Sequence, residues 1–217
     1  AQLQAFLAQI QQLLTNPGGG PVNWDLARQV AQAQLRDDPP VAGPQRAAVQ
    51  EALRLADLWL EEVSTLPSGI RQAEAWRRAD WLTRTLDVWR KLCDPVAGQM
   101  TVAIGDLVPE QMRAQLGGMT AMLTSIGGAM FGGQLGSALG SLAAEVLSAS
   151  DIGLPLGPAG TAALIPANIA SYGEGLEIPE DQLRLYVALR EAAHQRLFEH
   201  VPWLRAHVLT AVETYAK

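Results

Sequence analysis

Residues 179–200 read PEDQLRLYVALREAAHQRLFEH, and this stretch decides the fold class. Pro179 suits the first position of a helix, and Glu180 and Asp181 favour its positive end. Apolar side chains then recur at helical spacing, at Leu183, Leu185, Tyr186, Leu189 and Ala193. The pattern predicts one strong helix from Pro179 to about Glu199.

The rest of the chain repeats this helical character. Apolar periodicity predicts helices over 1–14, 44–63 and 68–92, another capped by Asn23 and closed before Pro39, and a last one from Pro202. Residues 150–175 are the exception, because Gly and Pro surround a short apolar run there. We therefore expect a mainly α fold with at most a small β element around 150–175.

Composition narrows the class of protein. The 217 residues carry a net charge of -6 and a pI near 5.1, which argues against a nucleic-acid binder and a basic membrane-surface protein. The single cysteine, Cys93, excludes a disulfide scaffold and is expected to be a small core residue. The opening residues have no basic region typical of a secretory signal, so we expect a cytoplasmic protein.

Aromatic and basic residues alternate between Trp76 and Arg90, a combination also found on nucleic-acid-binding surfaces. Glu74, Asp80 and Asp87 interleave with these arginines. Mixed charge of this kind is typical of a solvated helix face around buried indoles. We expect no nucleic-acid partner.

A run of residues from Leu116 to Ala144 contains no charge and is long enough to cross a bilayer. Gly128, Gly132, Gly136 and Gly140 recur every fourth residue, a spacing that allows close helix packing. Paired glycines and interspersed polar residues argue against a membrane span. We expect two short helices with a glycine-lined seam in a soluble core, and homo-oligomers could form through these helices.

Histidine chemistry is confined to the end of the chain, because all three histidines are His194, His200 and His207. No phosphate-binding loop, dinucleotide fingerprint or serine-hydrolase elbow occurs. Glu191 and His194 form one Glu-x-x-His unit, but a di-iron site would need a second copy.

Residues 190–200 match a more specific pattern. Metzincin peptidases carry His-Glu-x-x-His-x-x-Gly-x-x-His, in which the histidines bind zinc and the glutamate is the general base. Glu191 matches the general base, and His194 and His200 match two zinc ligands. Arg190 replaces the first histidine, and Leu197 replaces the glycine.

Both departures argue against zinc binding. Arg190 has a permanent positive charge and no lone pair for a metal. Leu197 favours continued helix, on which His194 and His200 would lie about 120° apart around the axis. The structural alternative is that His194 is a half-buried polar residue, Glu191 pairs with an arginine, and His200 is exposed.

Longer stretches of the chain resemble a bacterial family. These are 21–27 (PVNWDLA), 131–140 (FGGQLGSALG), 151–155 (DIGLP), 166–169 (PANI), 189–198 (LREAAHQRLF) and 201–203 (VPW). They resemble a family described as zincin-like metallopeptidases of unknown function, sometimes labelled as hydrolases or as associated with coenzyme F420 biosynthesis. The resemblance implies a zincin-like helical domain, Glu191 in the general-base position, and His194 and His200 in zinc-ligand positions.

Family members are longer, so we expect this chain to be an N-terminal portion. It divides into a helical region over 1–95 and a region over 96–217 that holds the glycine-rich helices and the motif helix, both expected in one compact unit.

Three functions remain open. The first is a zincin-like protein that has lost zinc-dependent hydrolysis, and the retained Glu191, His194 and His200 favour it. The second is an active zinc hydrolase that uses further ligands. The third is a helical scaffold with a peptide or protein partner.

Overall fold

A computed structural model describes residues 20–35, 37–106 and 117–215. The helix predicted over 1–14 lies outside the described residues. The described helices are α1 (Trp24–Gln34), α2 (Gly43–Val63), α3 (Arg78–Asp106), α4 (Gly117–Glu145), α5 (Pro166–Gly173), α6 (Glu180–His200) and α7 (Leu204–Tyr215). Two strands accompany them, β1 (Gln72–Ala75) and β2 (Thr161–Leu164). The fold is mainly α, as predicted.

Local sequence signals set several helix ends correctly. The side chain of Asn23 accepts a hydrogen bond from the main-chain N–H of Leu26 at 3.0 Å, and Asp25 lies in the first turn of α1. Helix α6 follows Pro179 and runs to His200. These bounds agree with the sequence pattern, because capping and helical periodicity depend on residues only three or four apart.

The helix predicted over 68–92 was wrong in its first part. Residues 72–75 form β1, which pairs in parallel with β2 so that Gln72 lies opposite Thr161 and Ala75 opposite Leu164. Helix α3 begins only at Arg78 and continues beyond Leu92, through Pro95. Main-chain bonding to a strand almost ninety residues away overrides the local helical pattern. The β structure is therefore not confined to 150–175.

All four residues of strand β2 are buried. The main chain of 147–149 bonds its second edge, through Ala149 N to Ala163 O and Ile165 N to Leu147 O, both at 2.9 Å. Side chains of β2 alternate between two hydrophobic cores. Ala163 packs with Trp76 and Trp81, whereas residues 162 and 164 pack with α2 and α6. The strand thus places the turn after residue 149 against α6.

The prediction of two short helices between 116 and 144 was also wrong, because α4 is one helix. Its four regularly spaced glycines face α1 and the residues just before it, between Gly20 and Gln34. A Cβ at Gly132 would overlap the carbonyl oxygen of Asn23, and a Cβ at Gly136 would overlap that of Ala27. The glycine seam is therefore formed within the chain, and an oligomer through these helices stays a prediction.

The alternating tryptophans and arginines are arranged as the sequence indicates. Trp76 and Trp81 are buried. The surrounding arginines form ion pairs, Arg77 with Asp80 at 3.1 Å and Arg84 with Glu74 at 3.0 Å. The acidic residues thus neutralise the arginines beside these indoles.

Among the described helices, none is long and apolar enough to cross a membrane.

Candidate functional site

Helix α6 carries every residue of the zinc-peptidase pattern, and it is uninterrupted from Glu180 to His200. Leu197 is helical and 40% exposed, so no turn replaces the glycine of the pattern. On a regular helix, six residues separate His194 and His200 by about 9 Å along the axis and about 120° around it. The predicted continuity of the helix is confirmed.

Glu191 points into the protein and is fully buried. Its Oε2 accepts hydrogen bonds from the main-chain N–H of Ser150 at 3.0 Å and from the Ser150 hydroxyl at 2.6 Å. Its Oε1 accepts a third from the amide of Gln195 at 2.9 Å. The expected arginine partner was wrong. Both oxygens are satisfied by neutral donors, which is how a buried carboxylate is usually stabilised.

His194 is half-buried beside the same serine, with its Nδ1 2.9 Å from Ser150 Oγ. Because the Ser150 hydroxyl donates to the Glu191 carboxylate, the imidazole must donate its Nδ1 proton to Ser150 Oγ. This arrangement assigns the lone pair of a neutral ring to Nε2, which has no hydrogen-bond partner among the described residues. His194, Ser150 and Glu191 therefore form one hydrogen-bonded chain.

Arg190, which replaces the first zinc ligand of the pattern, binds Asp151, the residue after Ser150 in the 150–151 turn. Its guanidinium lies 2.9 Å from the Asp151 carboxylate and also donates to the Asp151 carbonyl at 3.3 Å. The second oxygen of that carboxylate accepts from the N–H of Leu147 at 3.0 Å. Adjacent residues of α6 thus hold adjacent residues of the 150–151 turn.

His200 lies away from this chain of bonds. Its Nε2 is 3.0 Å from the main-chain carbonyl of Ser68, so this nitrogen must carry the proton and donate it. The side chain is half-buried, whereas the structural alternative expected it to be exposed. The structure brings Arg190, Glu191 and His194 against the 150–151 turn, whereas His200, at the end of α6, contacts the loop at Ser68.

These residues do not fit a zinc ion. A zinc site needs three or four lone pairs that converge on one point. Both Glu191 oxygens already accept hydrogen bonds, and His200 uses its Nε2 as a donor. Within 20–35, 37–106 and 117–215, no group of three or more His, Cys, Asp or Glu residues is arranged to hold a metal.

Sequence reasoning missed the residues that bind the motif. Gln195 could have been found, because it lies four residues after Glu191 on the same helix face. Ser150 and Asp151 gave no local signal, because their contacts with α6 span about forty residues.

A surface cleft of about 530 Å³ opens beside the 150–151 turn. It lies at the carboxyl end of α4, and its walls are the end of α4, Asp151 and Ile152, and helix α5. The Asp151 carboxylate that Arg190 binds therefore belongs to a wall of this cleft.

Comparisons with known proteins identify a family and a solved structure to which the chain is similar. A sequence model for a family described as zincin-like metallopeptidase matches residues 22–217. The fold is similar to a crystal structure from Chloroflexus aurantiacus, described as "a putative hydrolase with a novel fold", with a TM-score of 0.63 and 22% identity. The similarity covers 90% of this chain and 59% of the other, so this chain spans about three-fifths of that protein. No curated protein matches the sequence.

Proposed function

The chain belongs to the zincin-like metallopeptidase family. We propose that residues 190–200, which match part of the zinc-peptidase pattern, form a structural clamp and do not hydrolyse peptides with zinc. Arg190 and Glu191 hold the 150–151 turn on α6, and the half-buried His194 is the third member of the hydrogen-bonded chain. The segment keeps three residues of the peptidase signature, Glu191, His194 and His200, and we propose a structural role for it.

The fully buried Glu191 carboxylate carries this proposal. A general base in a zinc peptidase must face the metal-bound water and accept its proton. Glu191 instead faces Ser150 and Gln195, and its oxygens accept three hydrogen bonds. A carboxylate held in this way has no free oxygen directed at a substrate or a water molecule on the surface.

The residue before Glu191 supports the same proposal. In the metzincin pattern the first histidine binds zinc, but this chain has Arg190 at that position. The guanidinium would repel a nearby cation. Its pairing with Asp151 also removes the carboxylate nearest to it in the fold as a free metal ligand.

Metal analysis of the purified chain tests the proposal. We expect less than about 0.1 zinc per chain after equilibration with excess zinc and desalting, because stable zinc binding needs a complete ligand set. His194→Ala is the matched variant, and its zinc content should equal that of the wild type. One zinc per wild-type chain that disappears in His194→Ala would overturn the proposal.

A second function is favoured by the Nε2 of His194, which has no hydrogen-bond partner among the described residues. A histidine whose Nδ1 is fixed by a hydrogen bond is typical of metal ligands, in which the second nitrogen binds the metal. His194 could supply one ligand to a zinc hydrolase site whose other ligands lie outside the described residues. Metal analysis of protein that includes those further ligands distinguishes the two functions, because only the second makes zinc content depend on His194.

A further inference from the structure

The cleft at the end of α4 has features of a binding site that the zinc-peptidase pattern does not involve. Its floor is apolar, formed by Leu142, Val146 and Ile152. Asn168 closes one side, but its amide N–H groups donate to the carbonyls of residues 143 and 146 and its oxygen accepts from Arg78. Asn168 therefore shapes the cleft, and both of its N–H groups are already used within the protein.

The lining of the cleft carries one unpaired carboxylate and no basic side chain, while two arginines contact lining residues, Arg190 at Asp151 and Arg78 at Asn168. Glu145 is exposed at its edge and has no hydrogen-bond or ion-pair partner among the described residues. Glu145 is also the last residue of α4, where the helix dipole adds negative potential. Asp151 contributes no net charge, because Arg190 neutralises it. One uncompensated carboxylate remains, and no lining residue is basic.

An aromatic ring completes the cleft. Tyr172 lies on its wall and is 58% exposed, so its ring is accessible to a ligand in the cleft. The face of a tyrosine ring attracts an organic cation that stacks on it. The Glu145 carboxylate and the Tyr172 ring suit a positively charged group, and the apolar floor suits a hydrocarbon stem that carries it.

We propose that this cleft binds an organic cation on an apolar stem, such as the side chain of an arginine in a peptide. The charged group lies between Glu145 and the Tyr172 ring, and the stem covers Leu142 and Ile152. A divalent metal does not suit the cleft, because such ions need several free oxygen ligands and Glu145 supplies the one free carboxylate of its lining. An anion would be repelled.

Titration of the wild-type chain with N-acetyl-arginine N-methylamide, followed by backbone NMR shifts, tests the proposal. We expect saturable shifts centred on Ile152 and Tyr172. The matched neutral probe is N-acetyl-citrulline N-methylamide, which has nearly the same shape, and we expect it to bind about fivefold more weakly. Agmatine carries the same guanidinium group and represents a free small molecule, whereas the capped arginine represents a peptide. The probe that binds more tightly identifies which of these two sources supplies the cation.

Variants link binding to the named side chains. Glu145→Gln and Tyr172→Leu should each weaken binding of the capped arginine about fivefold. Glu62→Gln is the matched control, because Glu62 is also exposed on a helix and does not line the cleft, and it should leave binding unchanged. Equal binding of arginine and citrulline, an unchanged affinity in Glu145→Gln, or no shifts at the cleft would each overturn the proposal. Zinc content plays no part in these outcomes, so they are independent of the function proposed above.

Discussion

At the scale of the residue, the chemistry of Glu191 depends on where its hydrogen bonds go. Three donors surround the carboxylate, and two of them belong to Ser150. A hydrogen bond to a charged buried group stabilises a protein by about 1.5–3 kcal/mol, more than one between neutral groups. We therefore expect the hydrogen bonds of Glu191 to raise the free energy of unfolding, whereas a catalytic base exposed on a surface would contribute little to it.

Glu191→Gln should lower the free energy of unfolding by about 2 kcal/mol. Glutamine has one acceptor oxygen, so its amide nitrogen must face at least one of the donors that now bind the carboxylate. Urea unfolding followed by tryptophan fluorescence measures the change. Glu62→Gln, at an exposed position, is the control. Unchanged stability together with loss of a zinc-dependent hydrolysis would instead identify Glu191 as a general base.

Cys93 gives a prediction that depends on pH. The thiol is half-buried, and burial, with a smaller effect of the Asp94 charge, raises its pKa from 9.0 to about 11. The folded state therefore keeps its proton at a pH where the unfolded chain has lost it. The protonated Cys93 thiol makes its full contribution to the free energy of unfolding below pH 9.0, and this contribution is lost as the pH rises towards about 11.

Alkylation by iodoacetamide measures this difference, because only the thiolate reacts. Around pH 8, the native protein should react about 100-fold more slowly than the urea-unfolded chain, as two pKa units imply. The native rate should continue to rise above pH 10. Equal rates in the two states would contradict the raised pKa.

At the scale of the element, the seam between α1 and α4 depends on the absence of side chains at particular glycines. The main chain of α1 approaches α4 so closely that Asn23 N donates to the carbonyl of Gly128 at 3.0 Å. Gly136 lies against the main chain at Ala27, whereas Gly133, on the same helix, has open space where a Cβ would be. The two glycines therefore form a matched pair.

Gly136→Ala should destabilise the protein by about 2 kcal/mol, because the new methyl group forces α1 away from α4. Gly133→Ala should leave stability unchanged or raise it by up to about 1 kcal/mol, since alanine favours a helix more than glycine does. Thermal unfolding of both variants checks the pair. Equal shifts in Tm would show that α1 does not pack on this face.

At the scale of the whole molecule, a buried arginine joins α6 to α2 and to the loop before β1. Arg196 is 2% exposed, and its guanidinium donates to the Asp57 carboxylate at 2.7 Å and to the Asp57 carbonyl at 2.8 Å. It also donates to the carbonyl of Leu66. The same loop passes α6 at Gly69, where a Cβ would overlap the main chain at Gln195.

Arg196→Met should destabilise the protein by about 3 kcal/mol, because it leaves the Asp57 carboxylate and the Leu66 carbonyl without their donor. The double variant Arg196→Met with Asp57→Leu should regain part of this loss, since it removes the unpaired charge. Arg54→Met is the control, because Arg54 pairs with Glu51 on the surface, and it should change the urea midpoint little. A double variant no more stable than Arg196→Met would contradict the role of Asp57.

The sequence by itself determined the features that depend on near neighbours. Asn23 caps α1 through a residue three positions away, and Leu197 keeps α6 continuous, so the separation of His194 from His200 could be predicted. The family could also be predicted, because the stretches that carry the resemblance are each contiguous in the sequence, and a family model matches residues 22–217.

Only the tertiary structure decided the features that depend on distant residues. Residues 72–75 became a strand because β2 offers main-chain partners, and Glu191 and Arg190 took up Ser150 and Asp151 because β2 places that turn against α6. Local periodicity contains no information about a hydrogen bond between residues forty to ninety positions apart. The zinc-peptidase pattern could therefore be found in the sequence, but its use as a clamp could be proposed only from the fold.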